Sequence, residues 1–335
     1  MPTDTPAIQA APRPGATPAI HRDVATRLRS AAGRNGALAA LLLLCVVMAV
    51  LSPVFLSTQN LLNVGVQAAV VAILAFGQTF VIISAGIDLS VGSVAALTAI
   101  VTGYMASTLG VSPVLAILLG LATGMAAGLV SGVLVAFGKL PAFIATLAML
   151  SIARGLALVL SGGVPVAQPT AVAWFGSTLW GWLPVPVVVM IVLGLLAAFI
   201  LNRTFTGRAI YAIGGNEEAA RLSGINVHRQ KLIIYALAGT FSAVAGLVLA
   251  GRLASGQPQA AAGYELDAIA AVVIGGASLA GGQGRAFGTF VGALVLAVIR
   301  NGLNLLNVSS FWQQVVIGAV IALAVLSDTL RKRRA

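Results

Sequence analysis

Three stretches of this sequence hold no charged residue at all: 35–87, 89–138 and 155–202, of 53, 50 and 48 residues. About 20 apolar residues carry a helix across about 30 Å of hydrocarbon, so each stretch has room for two membrane spans, or for one with an apolar connection. A soluble chain of this length would be roughly one-quarter charged, whereas this one is 8% charged and 59% hydrophobic over 335 residues. That excludes a soluble enzyme, a disordered chain and a collagen-like fibre. The fold class that remains is an all-α polytopic membrane protein.

Prolines, glycines and the few charges divide the apolar sequence into about ten segments: 37–56, 62–84, 90–109, 112–136, 141–161, 184–201, 232–251, 266–280, 286–303 and 311–327. The eighth and ninth are short and broken by glycine, which leaves full and half helices both open for them. Residues 1–34 hold five of the 13 prolines and five arginines, a basic tail expected to stay disordered. The first apolar run has no clear small-residue cleavage site and reads as an uncleaved span. The domain organisation is then a tail at 1–34, a transmembrane domain at 35–330 with one polar loop at 202–231, and a second basic tail at 331–335.

With the first tail inside and ten spans, 16 of the 19 Lys and Arg residues fall in cytoplasmic segments, and Trp174, Trp180, Trp182 and Trp312 fall on the outer side as an interfacial belt. Both termini are then cytoplasmic. The net charge of +11 is mostly a topology signal, and no nucleic-acid partner is expected; membrane lipid is the medium.

What is missing is informative. Gly138-Lys139-Leu140 lacks the upstream glycine and the Ser or Thr of a Walker A loop, so this chain has no ATP site of that kind. His21 and His228 have no partners at metal-ligand spacing and Cys45 is the single cysteine, so neither a metal site nor a disulfide is expected. No nucleophile, base and orienter stand together, so no catalytic residues are expected. No carboxylate lies mid-span, as coupling to a proton or sodium gradient would need; Asp88 and Asp267 stand at span edges. A transporter without such a group draws its energy from a partner.

The polar loop carries a helix signature. Asn216 is placed to N-cap, Glu217 and Glu218 favour the positive end of the helix dipole, Ala219, Ala220, Arg221 and Leu222 continue, and Gly224 terminates. Two turns are too short to persist alone in water, so this helix must rest on something.

Glu218-Ala219-Ala220-x-x-x-Gly224 resembles the EAA-x-x-x-G loop of permease subunits of ATP-binding-cassette importers, whose short coupling helix docks on the ATPase. Four further segments are similar to the ribose, xylose and galactose type of permease: Ser84-Ala-Gly-Ile-Asp88-Leu-Ser-Val-Gly-Ser93, Pro141-Ala-Phe-Ile-Ala-Thr-Leu147, Ile213-Gly-Gly-Asn216, and Gly275-Gly-x-Ser-Leu-x-Gly-Gly-x-Gly284. They run in the family's order over almost the whole chain after the tail, which the family lacks. The resemblance implies an inner-membrane dimer of permease subunits, the second copy identical or related. It implies a cytoplasmic ATPase with two fused nucleotide-binding domains that holds ATP and Mg, so that this chain binds no cofactor, and a periplasmic sugar-binding protein. It implies translocation by alternating access, with Glu217, Glu218, Ala219, Ala220, Arg221 and Gly224 at the ATPase contact. Rival readings are a permease of the same superfamily for branched-chain amino acids or nucleosides, and an ion-coupled secondary transporter.

Other residues carry paired readings. Asp88 in the turn between spans two and three either N-caps the third span or acts at an inner gate or ATPase contact. Asn63, Gln67 and Gln78 form a narrow polar stripe on the second span, suited to a neutral polyhydroxylated solute or to inter-span hydrogen bonds. Gly120, Gly124, Gly128 and Gly132 recur every four residues, a face for close helix packing. Arg154 and Arg300 lie within or near spans, where arginine marks an aqueous cavity or a buried partner. Glu265 and Asp267 are candidates for Arg300; Arg154 has none in view, which turns it toward the pathway.

Overall fold

A computed structural model describes residues 20–333, and within that range the side chains of 36–323, 325 and 326. The chain divides into two compact units, 1–36 and 37–335. The described part of the first is helical from Ile20. The run Val24-Ala-Thr-Arg-Leu-Arg-Ser-Ala-Ala-Gly33 is rich in good helix formers, and no proline lies between Pro18 and Pro53 to stop it. Residues 1–19, 334 and 335, with the rest of the two expected tails, lie outside the described residues.

Among the described residues thirteen α-helices follow in order: α1 Ile20–Leu51, α2 Thr58–Ile83, α3 Val91–Gly103, α4 Pro113–Ala136, α5 Ala142–Ser161, α6 Thr170–Ala173, α7 Val185–Arg203, α8 Phe205–Gly215, α9 Glu217–Leu222, α10 Val227–Leu253, α11 Tyr264–Ile274, α12 Ala286–Leu305 and α13 Ser310–Arg333. A π-helical turn, Tyr104–Thr108, extends α3. Strand content among the described residues is four two-residue pieces. Val166–Ala167 pairs antiparallel with Ser255–Gly256, and Thr178–Leu179 with Leu183–Pro184.

Among the described residues seven helices are long and apolar enough to cross a membrane: α2, α3 with its π turn, α4, α5, α7, α10 and α12. Residues 36–51 of α1 and 310–323 of α13 are shorter apolar stretches. The glycine-broken pair resolves unequally. The expected eighth span is the 11-residue α11, about 16 Å long, followed by an irregular Gly-rich loop at 275–285, while the ninth, α12, is a full 20 residues.

The core runs through α2, 89% buried over its most apolar window, whereas α5 and α7 bury only 28% of theirs. α2 is held along its whole length. Near one end the Asn60 and Asn301 amides exchange hydrogen bonds of 3.0 and 2.8 Å, and near the other the Thr79 and Thr289 hydroxyls meet at 2.7 Å, joining α2 to α12. Phe80 packs edge-on against Phe241 of α10, with centroids 5.6 Å apart.

The four-residue glycine face of α4 lies against α10 and α3. A Cβ on Gly128 would overlap the Tyr235 carbonyl oxygen, and one on Gly124 would stand 2.6 Å from the Ala243 side chain and 2.8 Å from the Gly239 carbonyl. Gly132 faces Leu232 and Tyr235 at 3.2 Å, and Gly120 meets Thr102 of α3. Backbone-to-backbone approach this close leaves no room for a side chain. Gly128→Leu is therefore expected to abolish folded protein in the membrane. Gly155→Ala on α5, where nothing lies within 4 Å, should leave it unchanged; detergent size-exclusion profiles of the two variants check this.

Candidate functional site

The chain's most chemically distinctive surface is built at the end of the bundle that carries α8 and α9. Asn216 adopts extended backbone and its Oδ1 accepts from the Ala219 N–H at 2.9 Å, so the local code expected for α9 is what forms. At the other end the Gly224 N–H donates to Arg221 and the Ile225 N–H to Ala220, with Gly224 at φ +85°, a left-handed cap suited to glycine.

The helix rests on one residue and displays the rest. Ala220 is buried in a small core with Ile213 and Val227, while Glu218, Arg221 and Leu222 face outward, Leu222 at 80% exposure. Arg221 pairs with Glu218 along α9. Lys231 of α10 holds both Glu217 carboxylate oxygens at 2.9 Å, bracing α9 on α10. A cavity of about 470 Å³ opens beside it, with Lys139, Glu217, Arg221, His228, Lys231 and Tyr235 on its walls. The His228 ring stacks on Phe137 at 5.3 Å.

α8 links this surface to the bundle. Gly214 is so close to the end of α2 that a Cβ there would overlap the Ile83 carbonyl, and the same carbonyl accepts the Gly282 N–H at 2.8 Å. The Tyr211 hydroxyl donates to the Gly284 carbonyl at 2.8 Å. Burial pushes the Tyr211 phenol up from its ordinary range, opposed by the nearby Arg285. The end of α2, the end of α8 and the 275–285 loop thus meet at one point.

From that point Ser84–Ser90 folds back into the bundle. The Gly86 N–H donates to the Val81 carbonyl, and the Gln78 amide, oriented to pair both its atoms, donates to the Asp88 carbonyl and accepts from the Asp88 N–H, each at 3.1 Å. The Thr146 hydroxyl of α5 accepts from the Leu89 N–H and donates to the Ile87 carbonyl. Asp88 is 2% exposed, and its Oδ1 accepts from the Ser90 N–H at 2.8 Å and the Ser90 hydroxyl at 2.6 Å. It closes the turn ahead of α3. The N-cap position itself is Ser90, with no side-chain cap, so the capping role read for Asp88 is corrected.

The predicted polar stripe does not act as a unit. Asn63 is exposed, Gln78 is committed to the Asp88 peptide, and only Gln67 lines a cavity. Arg154 finds the partners the sequence did not reveal: its Nη1 donates to the Pro258 and Ala260 carbonyls at 2.6 and 2.9 Å, pinning the loop before α11. Of its two candidates, Arg300 takes Asp267, at 2.5 Å. Sequence reasoning gave no role to Lys231 or Tyr211, and met Thr146 and Leu222 only as members of a motif and of a helix. Among the described residues no three His, Cys, Asp or Glu side chains stand together as a metal set.

A model of the permease component of branched-chain amino acid transport systems matches residues 60–325. The ribose import permease RbsC of Bacillus subtilis (strain 168) is 50% identical, over 88% of this chain and 92% of that protein. RbsC of Escherichia coli (strain K12) is 48% identical, over 88% and 93%. The xylose transport system permease XylH of Haemophilus influenzae is 38% identical, over 84% and 91%. No solved structure matches the chain.

The pinned segment yields a local test. Thr146→Val strands the Leu89 N–H and should lower stability by about 1–3 kcal/mol, the cost of a buried unsatisfied donor. Thr123→Val, whose hydroxyl bonds only its own helix at Leu119, should not. Thermal-shift curves in detergent distinguish the two.

Proposed function

We propose, from the premise that this chain belongs to the family of branched-chain amino acid transport system permease components, that it is the membrane-spanning subunit of an ATP-binding-cassette importer for a monosaccharide. The observation that carries this is the likeness to ribose import permeases over about nine-tenths of both chains; the likeness to a xylose permease keeps the substrate class at monosaccharide. Permeases of such importers work with an ATPase subunit and a sugar-binding protein, and are not themselves enzymes.

The finer reading builds on that. The protein sits in the inner membrane with the α9 end and both termini cytoplasmic, as the placement of Lys and Arg favours. The ATPase has two fused nucleotide-binding domains and holds all the ATP and Mg, so this chain binds no cofactor. It docks on Glu217, Glu218, Ala219, Ala220, Arg221 and Gly224: a two-turn helix that buries Ala220 and turns Leu222 and a charged pair outward leaves a face for a partner to cover. Asp88 serves the inner gate by fixing the turn into α3. A second permease subunit packs on the apolar faces that α4, α5 and α7 leave exposed, and a periplasmic binding protein delivers the sugar at the opposite end. ATP-driven movement of α9 passes into α2 through Ile83 and into α10 through Lys231, and so rocks the bundle between its two openings.

Glu218→Lys puts a cation where the partner meets an anion, and is expected to cut both sugar uptake and co-purification of the ATPase at least about tenfold. Wild-type uptake in that variant would sink the docking assignment. Uptake that survives collapse of the ion gradient at normal ATP fits the proposal, and uptake abolished by it selects an ion-coupled carrier. Calorimetry on the periplasmic binding protein decides the substrate class, and tight binding of an amino acid or a nucleoside would overturn the sugar.

A further inference from the structure

At the end of the bundle away from α9, a cavity of about 190 Å³ lies between α2, the end of α10, α11, α12 and the start of α13. Its polar wall includes Gln67, Arg252, Tyr264, Asp267, Arg300 and Asn304. Drug-sized ligand sites run to roughly 300–1,000 Å³, so this one suits something smaller.

The wall offers both kinds of hydrogen-bonding group in an uncommitted state. The Gln67 amide and the Arg252 guanidinium have no hydrogen bond or ion pair among the described residues. Asp267 gives only Oδ2 to Arg300, at 2.5 Å, and keeps Oδ1. Asn304 accepts from Gln313 at 2.7 Å and keeps its own NH₂ donors. A hydroxyl donates and accepts at once, so donors and acceptors interleaved around a small space fit a polyol better than an ion. The charges agree with this: Arg300 is neutralised by Asp267 across the wall, its guanidinium carbon is 5.7 Å from the Tyr264 ring centroid, and Arg252 is exposed at the edge. A site built for an anion would leave its cations unpaired, whereas the inner one here is already matched.

We propose that this cavity is a low-affinity monosaccharide site of the permease itself, a station between the delivering protein and the bundle interior, with Gln67 and Asp267 as its principal contacts. The inference rests on the monosaccharide-importer reading above.

The test is equilibrium binding of radiolabelled ribose and xylose to the detergent-solubilised permease–ATPase complex without its binding protein, beside uptake by the complete system. Weak saturable binding of the imported sugar is expected. Gln67→Leu should weaken it about tenfold, as loss of a buried hydrogen bond does, and should raise the uptake KM. Asn63→Leu, on the same helix but outside the cavity, should leave binding unchanged. Equal thermal-shift curves and equal ATPase co-purification guard against simple misfolding. A complex that imports the sugar yet binds none of it, or binds it equally with Leu at 67, overturns the site and leaves the importer reading standing. Displacement of the sugar by inorganic phosphate at matching concentration makes this an anion site and overturns the proposal too. Failure of the wild-type system to import ribose, xylose or any other monosaccharide offered overturns the importer reading, and the site with it.

Discussion

A peptide group in hydrocarbon has no water to bond, so irregular backbone at membrane depth survives only where protein surrounds and satisfies it. The segment Ser84–Ser90 is where this chain meets that constraint. It turns back from the end of α2 and runs beside α2 to the start of α3, and its partners come from three sides: Val81 and Gln78 on α2, Thr146 on α5, and the Asp88 carboxylate within the segment itself. α2 has to be almost wholly buried, and α5 has to bring a hydroxyl to that level, because this segment is there. The short α3 follows from the same arrangement, since its first residue already lies inside the bundle.

Enclosing such a segment requires helices to approach closely, which explains what the glycines of α4 do. Lipid tails are as apolar as leucine, so helices in a membrane gain little by hiding large apolar side chains from it; contact area, dispersion and backbone approach hold them together. Gly124 and Gly128 let α4 lie on the backbone of α10 at Gly239 and Tyr235. Tyr235 is thereby held under the turn at Gly86, where a Cβ would stand 2.8 Å from its hydroxyl. The packing of α4, the position of α10 and the path of the irregular segment are one solution to one problem.

Features encoded within a turn or two of chain were legible in the residues. The charge-free stretches give the long spans, and Asn216, Glu217 and Gly224 give the start and stop of α9, because capping acts between residues two to four apart. Partners that are backbone carbonyls far along the chain were not legible. Arg154 bonds Pro258 and Ala260 across more than a hundred residues, and a carbonyl has no residue type to betray it. Gln78 misled for a related reason: an amide on a helical stripe has the same wheel angle whether it faces a solute or a peptide bond. The length of α11 escaped because the Gly275–Gly284 run stays apolar, and hydropathy does not register where a helix stops inside a buried loop.

The bonds between α2 and α12 bear on how such a molecule moves. The Asn60–Asn301 pair and the Thr79–Thr289 pair sit near opposite ends of these helices, about 28 Å apart along α2. Two helices tied at both ends cannot slide or splay without leaving buried amides or hydroxyls unsatisfied, at a cost well above thermal energy. α10 is bound to α2 through Phe80 and Phe241, and α8 and the 275–285 loop close on the Ile83 carbonyl. A push on α9 therefore meets no soft joint in this core. In the coupling proposed above it would shift α2, α10 and α12 together, with the displacement taken up where packing is thin, along the exposed faces of α4, α5 and α7. Under the proposed function, such a core would open and close by moving as a body against a second subunit, with its internal cavity walls kept in register.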